Sequence, residues 1–437
     1  MTQPIRSEVL LRQSDRGHDA VRAEDLLRHQ IVAFHEVGRT IPSLAGSARE
    51  RLMTLETHVD FEDIAAGEPS TIEGIVSELA AMEGAAPVDA GTVADRVLGG
   101  WLGRCVGNGL GKPFELPTWS ARKIRDYLER AGAWPLADHV PVLDPMPPSF
   151  ELREDCWQTT TRGRVAYATR DDDLDYTILN LMLLEQYGVD FTTENVGRLW
   201  LDLLPFGKTF TAEAAAYRNL TEGLAAPETA TRLNPYREWI GALIRADAFG
   251  FVNPGRPLAA ALLAARDARL SHTRNGIYGA MWAAAAVAAA FAARSPSEIV
   301  AAARAVVPPR SRLVAAIDRI VALHRQGAPW SDAIALIESI DHYYVHVINN
   351  AAVIAAALLW SDGEFTRGIA LAVCAGLDTD SNGATVGAIL GVYNGANAIP
   401  RAWTDPLNNE LRTALCGQAS LSLSDLAKRT VALIALK

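Results

Sequence analysis

Residues 348–393 read INNAAVIAAALLWSDGEFTRGIALAVCAGLDTDSNGATVGAILGVY, and the pattern of this stretch decides the fold. Three apolar segments, Ile348–Trp360, Thr366–Ala375 and Ala384–Tyr393, keep the three- and four-residue spacing of helices. Short glycine-bearing connections separate them. Outward in both directions the same period recurs, in Ala94–Gly103, Leu174–Tyr187, Glu194–Leu204, Glu213–Gly223, Ile240–Phe249, Leu258–Leu270, Ile277–Ala293, Ser297–Val306, Leu313–Gln326, Trp330–Ile340 and Leu423–Leu436. Short alternating Val/Ile/Thr runs are nearly absent, so a sheet has little to be built from. The reading is an all-α bundle. No period of 20–50 residues repeats, which argues against a solenoid.

Upstream, a frayed tail is expected over residues 1–20, then a helical pattern from Ala23 to about Glu83. Gly84 to Gly91 reads as a linker. The expected organisation is therefore an N-terminal helical extension, residues 1–90, and an all-α domain, residues 91–437.

Composition excludes several classes. The 437 residues carry 41 Lys+Arg against 51 Asp+Glu, a net charge of −10, without a basic block, so binding of nucleic acid by charge is not expected. A hydrophobic share of 49% is too high for a disordered chain. Cys105, Cys156, Cys374 and Cys416 show no metal-like spacing and fit a reducing compartment. Met1–Ala20 lacks an apolar signal region. Gly276–Ala293 is uncharged and long enough to span a bilayer, but its alanines suit a tightly packed core helix better. A cytoplasmic protein without a membrane partner is expected.

Three segments concentrate carboxylates beside glycines or at helix starts. Gly107-Asn108-Gly109-Leu110-Gly111-Lys112-Pro113-Phe114-Glu115 fails as a phosphate loop, because Val106 stands where the first glycine belongs and Pro113 replaces Ser/Thr. What remains is a flexible turn presenting Glu115. Arg170-Asp171-Asp172-Asp173 opens a helix; one acid there is an ordinary cap, whereas three in a row repel one another and call for a cation. Gly376-Leu377-Asp378-Thr379-Asp380-Ser381-Asn382-Gly383 joins two apolar helices, and again one Asp suffices to cap. If the three meet, oxygen-only donors favour Mg²⁺ or Ca²⁺ over zinc. His342 and His346 share a helix face without a third ligand for zinc. Trp157, Phe206, Tyr343 and Tyr344 are candidates to stack a purine, although aromatics at such spacing are more often core.

These segments, in this order, resemble the ADP-ribosylglycohydrolase family. Gly107–Glu115 matches its Gly-Asp-Ala-Leu-Gly-x-Pro-x-Glu segment, the acidic triplet its Thr-Asp-Asp helix start, and Gly376–Ser381 its Gly-x-Asp-Thr-Asp-[Thr/Ser/Cys] segment. Asn275-Gly276 with Met281, and Asn349-Asn350, also match, and the resemblance covers about Asp95 to Leu415. It implies an all-α fold holding two Mg²⁺ ions, with Glu115, Asp171, Asp172, Asp173, Asp378, Asp380 and Ser381 as metal ligands. Glu115, Asp172 and Asp380 would be catalytic, and Asn275, Gly276, Tyr278, His346 and Asn350 would bind substrate. Two departures stand out: Asn108 replaces the family's Asp, and Asp171 falls where Thr is expected unless the triplet registers one residue earlier.

The implied activity is Mg²⁺-dependent hydrolysis of an ADP-ribosyl or related N- or O-ribosyl bond, on a small molecule or a modified protein. Two alternatives are an N-glycosidase of a small nucleoside or nucleotide metabolite, and a catalytically silent ADP-ribose-binding module. Such hydrolysis passes through an oxocarbenium-like state, which needs a held ribose, an activated water and a proton for the leaving group.

Overall fold

The computed structural model describes residues 67–79, 85–340 and 342–434. Among them are nineteen α-helices and a single two-stranded antiparallel hairpin, Glu410–Arg412 with Ser420–Ser422. The all-α expectation holds, and the hairpin strands are too short to leave an alternating pattern. The helices that build and support the site are α1 (Ile72–Glu78), α2 (Val93–Gly111), α3 (Asp172–Tyr187), α4 (Thr211–Thr221), α5 (Asn275–Ala290), α6 (Arg312–Arg325), α7 (Val347–Trp360), α8 (Phe365–Cys374) and α9 (Thr379–Asn394).

Helix α5 is the centre of the core, and every one of its residues is buried. Its alanines let neighbouring helices approach closely, as expected for a core helix, and no described helix is long and apolar enough to cross a membrane.

The pair α2 and α9 fixes the architecture around the site. Glycines stand four apart along both: Gly99, Gly103, Gly107 and Gly111 on α2, and Gly383, Gly387 and Gly391 on α9. The helices run antiparallel and meet backbone to backbone. A Cβ on Gly99, Gly103 or Gly107 would lie 2.2, 2.0 and 1.9 Å from the carbonyl oxygens of Gly391, Gly387 and Gly383. Glycine inside a helix costs about 0.5–1 kcal/mol relative to alanine, so this seam is accepted for the approach it permits.

Here the structure corrects the expected flexible turn. Helix α2 continues past Arg104 through Gly111, so Gly107–Gly111 is helical. A 3₁₀ turn, Lys112–Phe114, then delivers Glu115. Likewise α9 begins at Thr379, not near Ala384, so Asp380 and Ser381 lie in its first turn. Ile240–Phe249 is not one helix: it divides into a 3₁₀ turn, Ile240–Ala242, and a short helix, Asp247–Phe251.

The expected tail and helical run before residue 67 lie outside the described residues. What is described of the N-terminal segment packs on the body. Glu68 is buried between Arg312 of α6 and Asn275 of α5, and Tyr278 donates a hydrogen bond to the Pro69 carbonyl. In the expected linker, the Ala86 N–H donates to the Gly255 carbonyl at 2.9 Å.

Candidate active site

The antiparallel seam ends where Gly111 of α2 meets the backbone of Thr379 and Asp380 on α9. The Thr379 hydroxyl donates to the Gly111 carbonyl at 2.8 Å. This contact sets the turn carrying Glu115 beside the loop carrying Asp378 and Asp380. The third contributor is the start of α3, where Asp171 is the N-cap and its Oδ1 accepts the Asp173 N–H at 3.1 Å. Glu115, Asp171 and Asp380 each offer a carboxylate oxygen within 4.8 Å of the others. Three carboxylates from three separate segments, without Cys or His among them, form a hard-oxygen donor set suited to a divalent cation.

Protein cations and amides already touch this set. The Lys112 ammonium pairs with Asp171 Oδ2, and Arg153 pairs with Glu115. The Asn108 amide donates to Asp171 Oδ1 at 3.2 Å and to Asp173 Oδ2 at 2.8 Å. Burial works against the charge on Asp171, yet Lys112, with Arg153 and Arg170 beyond it, holds it below the ordinary carboxylate range. Around Asp172, Asp173, Asp378 and Asp380, burial together with neighbouring carboxylates raises the pKa. Such a cluster is costly without countercharge.

Above the carboxylates opens a cavity of about 560 Å³. Glu115, Arg153, Asp171, Asp172, Asp378, Asp380 and Ser381 line its acidic end. Its other wall is aromatic: Trp239 stacks on Tyr343 with centroids 5.0 Å apart, Tyr236 meets Trp239 edge-on at 4.7 Å, and Tyr344 meets Tyr343 at 4.8 Å. Phe206 and Phe210 form an exposed lip, 55% and 46% accessible. Of the aromatics singled out in the sequence, Phe206, Tyr343 and Tyr344 line the cavity, whereas Trp157 lies under Arg164 away from it.

The remaining expected site residues lie behind these walls. Asp173 is buried and faces Asn108 and Arg104, not the cavity. Asn275 is held by Glu238 and Glu68 through its Nδ2, and its Oδ1 accepts the Leu313 N–H. Gly276 packs so closely that a Cβ would lie 2.4 Å from the Arg237 carbonyl oxygen. With Tyr278 bound to Pro69, none of these three lines the cavity; Asn275 and Tyr278 anchor the N-terminal segment instead. His346 caps α7, its Nδ1 accepting the Ile348 N–H, and its ring stacks on His342. Asn350 is a bridge. Its Oδ1 accepts from the Asp378 N–H and from Asn382 Nδ2, while its Nδ2 donates to the carbonyls of Tyr344 and His346, both at 2.8 Å.

Sequence reasoning missed Lys112, Arg153, Glu213, Tyr236 and Trp239. Glu213, on α4, lines the cavity while its Oε1 accepts from Arg245 at 2.6 Å; Arg245 also reaches Asp267 and Ser271. A buried arginine opposite distant acids leaves no local spacing to find. Lys112 did carry a signal, as a charged residue inside an otherwise apolar and glycine-rich segment.

The ADP-ribosylglycohydrolase family matches residues 89–435 of this chain, and the chain belongs to that family. This makes it a glycohydrolase with a carboxylate cluster compatible with a metal site. A solved structure titled "ADP-ribosylglycohydrolase-related protein complex" is similar over 78% of this chain and 98% of its own, with 18% identity and a TM-score of 0.46. No curated protein matches the chain.

Proposed function

We propose that this protein is a Mg²⁺-dependent hydrolase of an ADP-ribosyl or related N- or O-ribosyl bond. The observation that carries the reading is the meeting of Glu115, Asp171 and Asp380 within 4.8 Å at the floor of a cavity walled by Trp239 and Tyr343. Glu115, Asp171, Asp380 and neighbouring Asp378, Asp172 and Ser381 would hold the metal. A divalent cation bound there supplies Lewis-acid polarisation of ribose hydroxyls and a water of lowered pKa.

The chain's own groups do the rest. The aromatic wall offers flat apolar faces for a base, and the acidic floor lines the same cavity, so a nucleoside whose base rests on the wall brings its ribose toward the carboxylates. Glu115, half-buried on its 3₁₀ turn and held by Arg153, faces the cavity and serves as acid/base. Phe206 and Phe210 at the lip restrict water around the bound base.

The test is a product assay with Mg²⁺ on ADP-ribosyl-arginine, ADP-ribosyl-serine, O-acetyl-ADP-ribose and simple nucleotides, with and without excess chelator. Release of a ribosyl product that stops with chelator is the expected result. Turnover that survives the chelator overturns the metal reading, and absence of turnover on every ribosyl compound overturns the activity.

A further inference from the structure

We propose that the carboxylate cluster of this chain holds one divalent cation, with the Lys112 ammonium standing in place of a second. The inference rests on the metal reading above and deepens it.

Lys112 follows directly on the glycine seam and is 3% exposed. Its four-carbon stem is enclosed and its ammonium pairs with Asp171, with Asp380 as a second anionic neighbour. It is therefore a resident of the cluster, placed there by the main chain of the turn. Around Asp171 the protein has taken most of the acceptor capacity. Oδ1 accepts from the Asp173 N–H and the Asn108 amide, and Oδ2 meets Lys112. A carboxylate oxygen has two lone pairs, so Oδ1 is filled. Asp173 Oδ2 accepts from the Asn108 amide, and Asp173 does not line the cavity.

Charge leads to the same result. With every carboxylate ionised, as metal binding requires, the five lining the cavity floor, Glu115, Asp171, Asp172, Asp378 and Asp380, face Lys112 and Arg153, while Asp173 behind them is set against Arg104, which leaves three negative charges on the floor. One divalent ion brings that to a single negative charge. A second would make a buried site net positive, beside an ammonium that already draws on Asp171 and Asp380. An Asn at 108 in place of a carboxylate removes one further anion from the same corner.

The experiment counts Mn²⁺ bound to the full chain, by electron paramagnetic resonance of the free ion during titration and by elemental analysis after desalting. Wild type is expected to bind one Mn²⁺ per chain with the spectrum of an isolated ion. Lys112→Met, and the double variant Asn108→Asp with Lys112→Met, are expected to bind two, with the broadened signal of an exchange-coupled pair in the double variant. Lys112→Gln provides a second variant that removes the charge and keeps a polar head. Two ions on wild type overturn the inference and leave the proposed function standing. One ion on wild type and still one on all folded variants overturns the role of Lys112. No bound ion on wild type overturns the metal reading itself, and the inference with it.

Discussion

Gly107 and Gly383 touch through their main chains: a Cβ on Gly107 would lie 1.9 Å from the Gly383 carbonyl oxygen, and one on Gly383 would lie 2.4 Å from that of Gly107. Neither side can yield by turning a side chain. Gly107→Ala should therefore force α2 and α9 apart and cost about 1–3 kcal/mol, the usual penalty for overpacking. Gly109, with open space around its Cα, is the control; Gly109→Ala should be neutral or stabilise by about 0.5–1 kcal/mol. Urea denaturation of the two variants checks the contrast, and equal effects would remove the seam from the account.

Asp380→Ala should abolish turnover while leaving helix content unchanged. Asp380 belongs to the three-carboxylate set, and Ser381 N–H is its hydrogen-bonding partner at 2.9 Å within the first turn of α9. Circular dichroism beside the product assay separates loss of chemistry from loss of fold. An active variant would show that the cluster is not the catalytic centre.

The N-terminal segment should contribute to stability through Glu68. Its carboxylate meets Arg312 at 3.0 Å and the Asn275 amide at 2.8 Å, all largely buried. Removing one partner of a buried pair leaves the other uncompensated and typically costs 3–5 kcal/mol when burial is complete. Arg312 keeps Glu238 at 2.7 Å, so about 1–3 kcal/mol is expected for Glu68→Ala. A chain beginning at residue 91 should melt at lower temperature than one beginning at residue 67. Identical melting curves would contradict this anchoring.

Glu213 makes stability depend on pH. Burial, opposed by the Arg245 charge, pushes its carboxyl up from 4.5 to about 7. A folded pKa above the unfolded one gives stability that is complete below pH 4.5 and is lost as pH rises through about 7. Glu213→Gln lacks this titration, so its stability relative to wild type should improve between pH 5 and pH 8. Denaturation at the two pH values measures the change; a constant difference would show that Glu213 stays ionised throughout.

Fold class was legible because helical period in the apolar residues survives without any tertiary information, as in Ile348–Trp360, observed as Val347–Trp360. The acidic clusters were legible because repeated like charges at helix starts exceed what capping needs. Glycine was the ambiguous letter. In Gly107-Asn108-Gly109-Leu110-Gly111 its repetition suggests freedom to turn, whereas two of the three glycines are there for helix-to-helix approach. Lys112 with Asp171 pairs residues 59 apart, a relation that no local spacing encodes. Asn275 and Tyr278 face the N-terminal segment rather than the cavity, and only the packing of Glu68 and Pro69 reveals it.

Asn350 carries one further consequence. A single amide side chain holds the main chain at Asp378 on one side and the carbonyls of Tyr344 and His346 on the other. The floor of the cavity and its aromatic wall thus share a crosspiece, and neither can shift without tilting it. Under the proposed function, selectivity for a base and retention of an ion would be mechanically joined, so substitutions that retune one should be felt by the other.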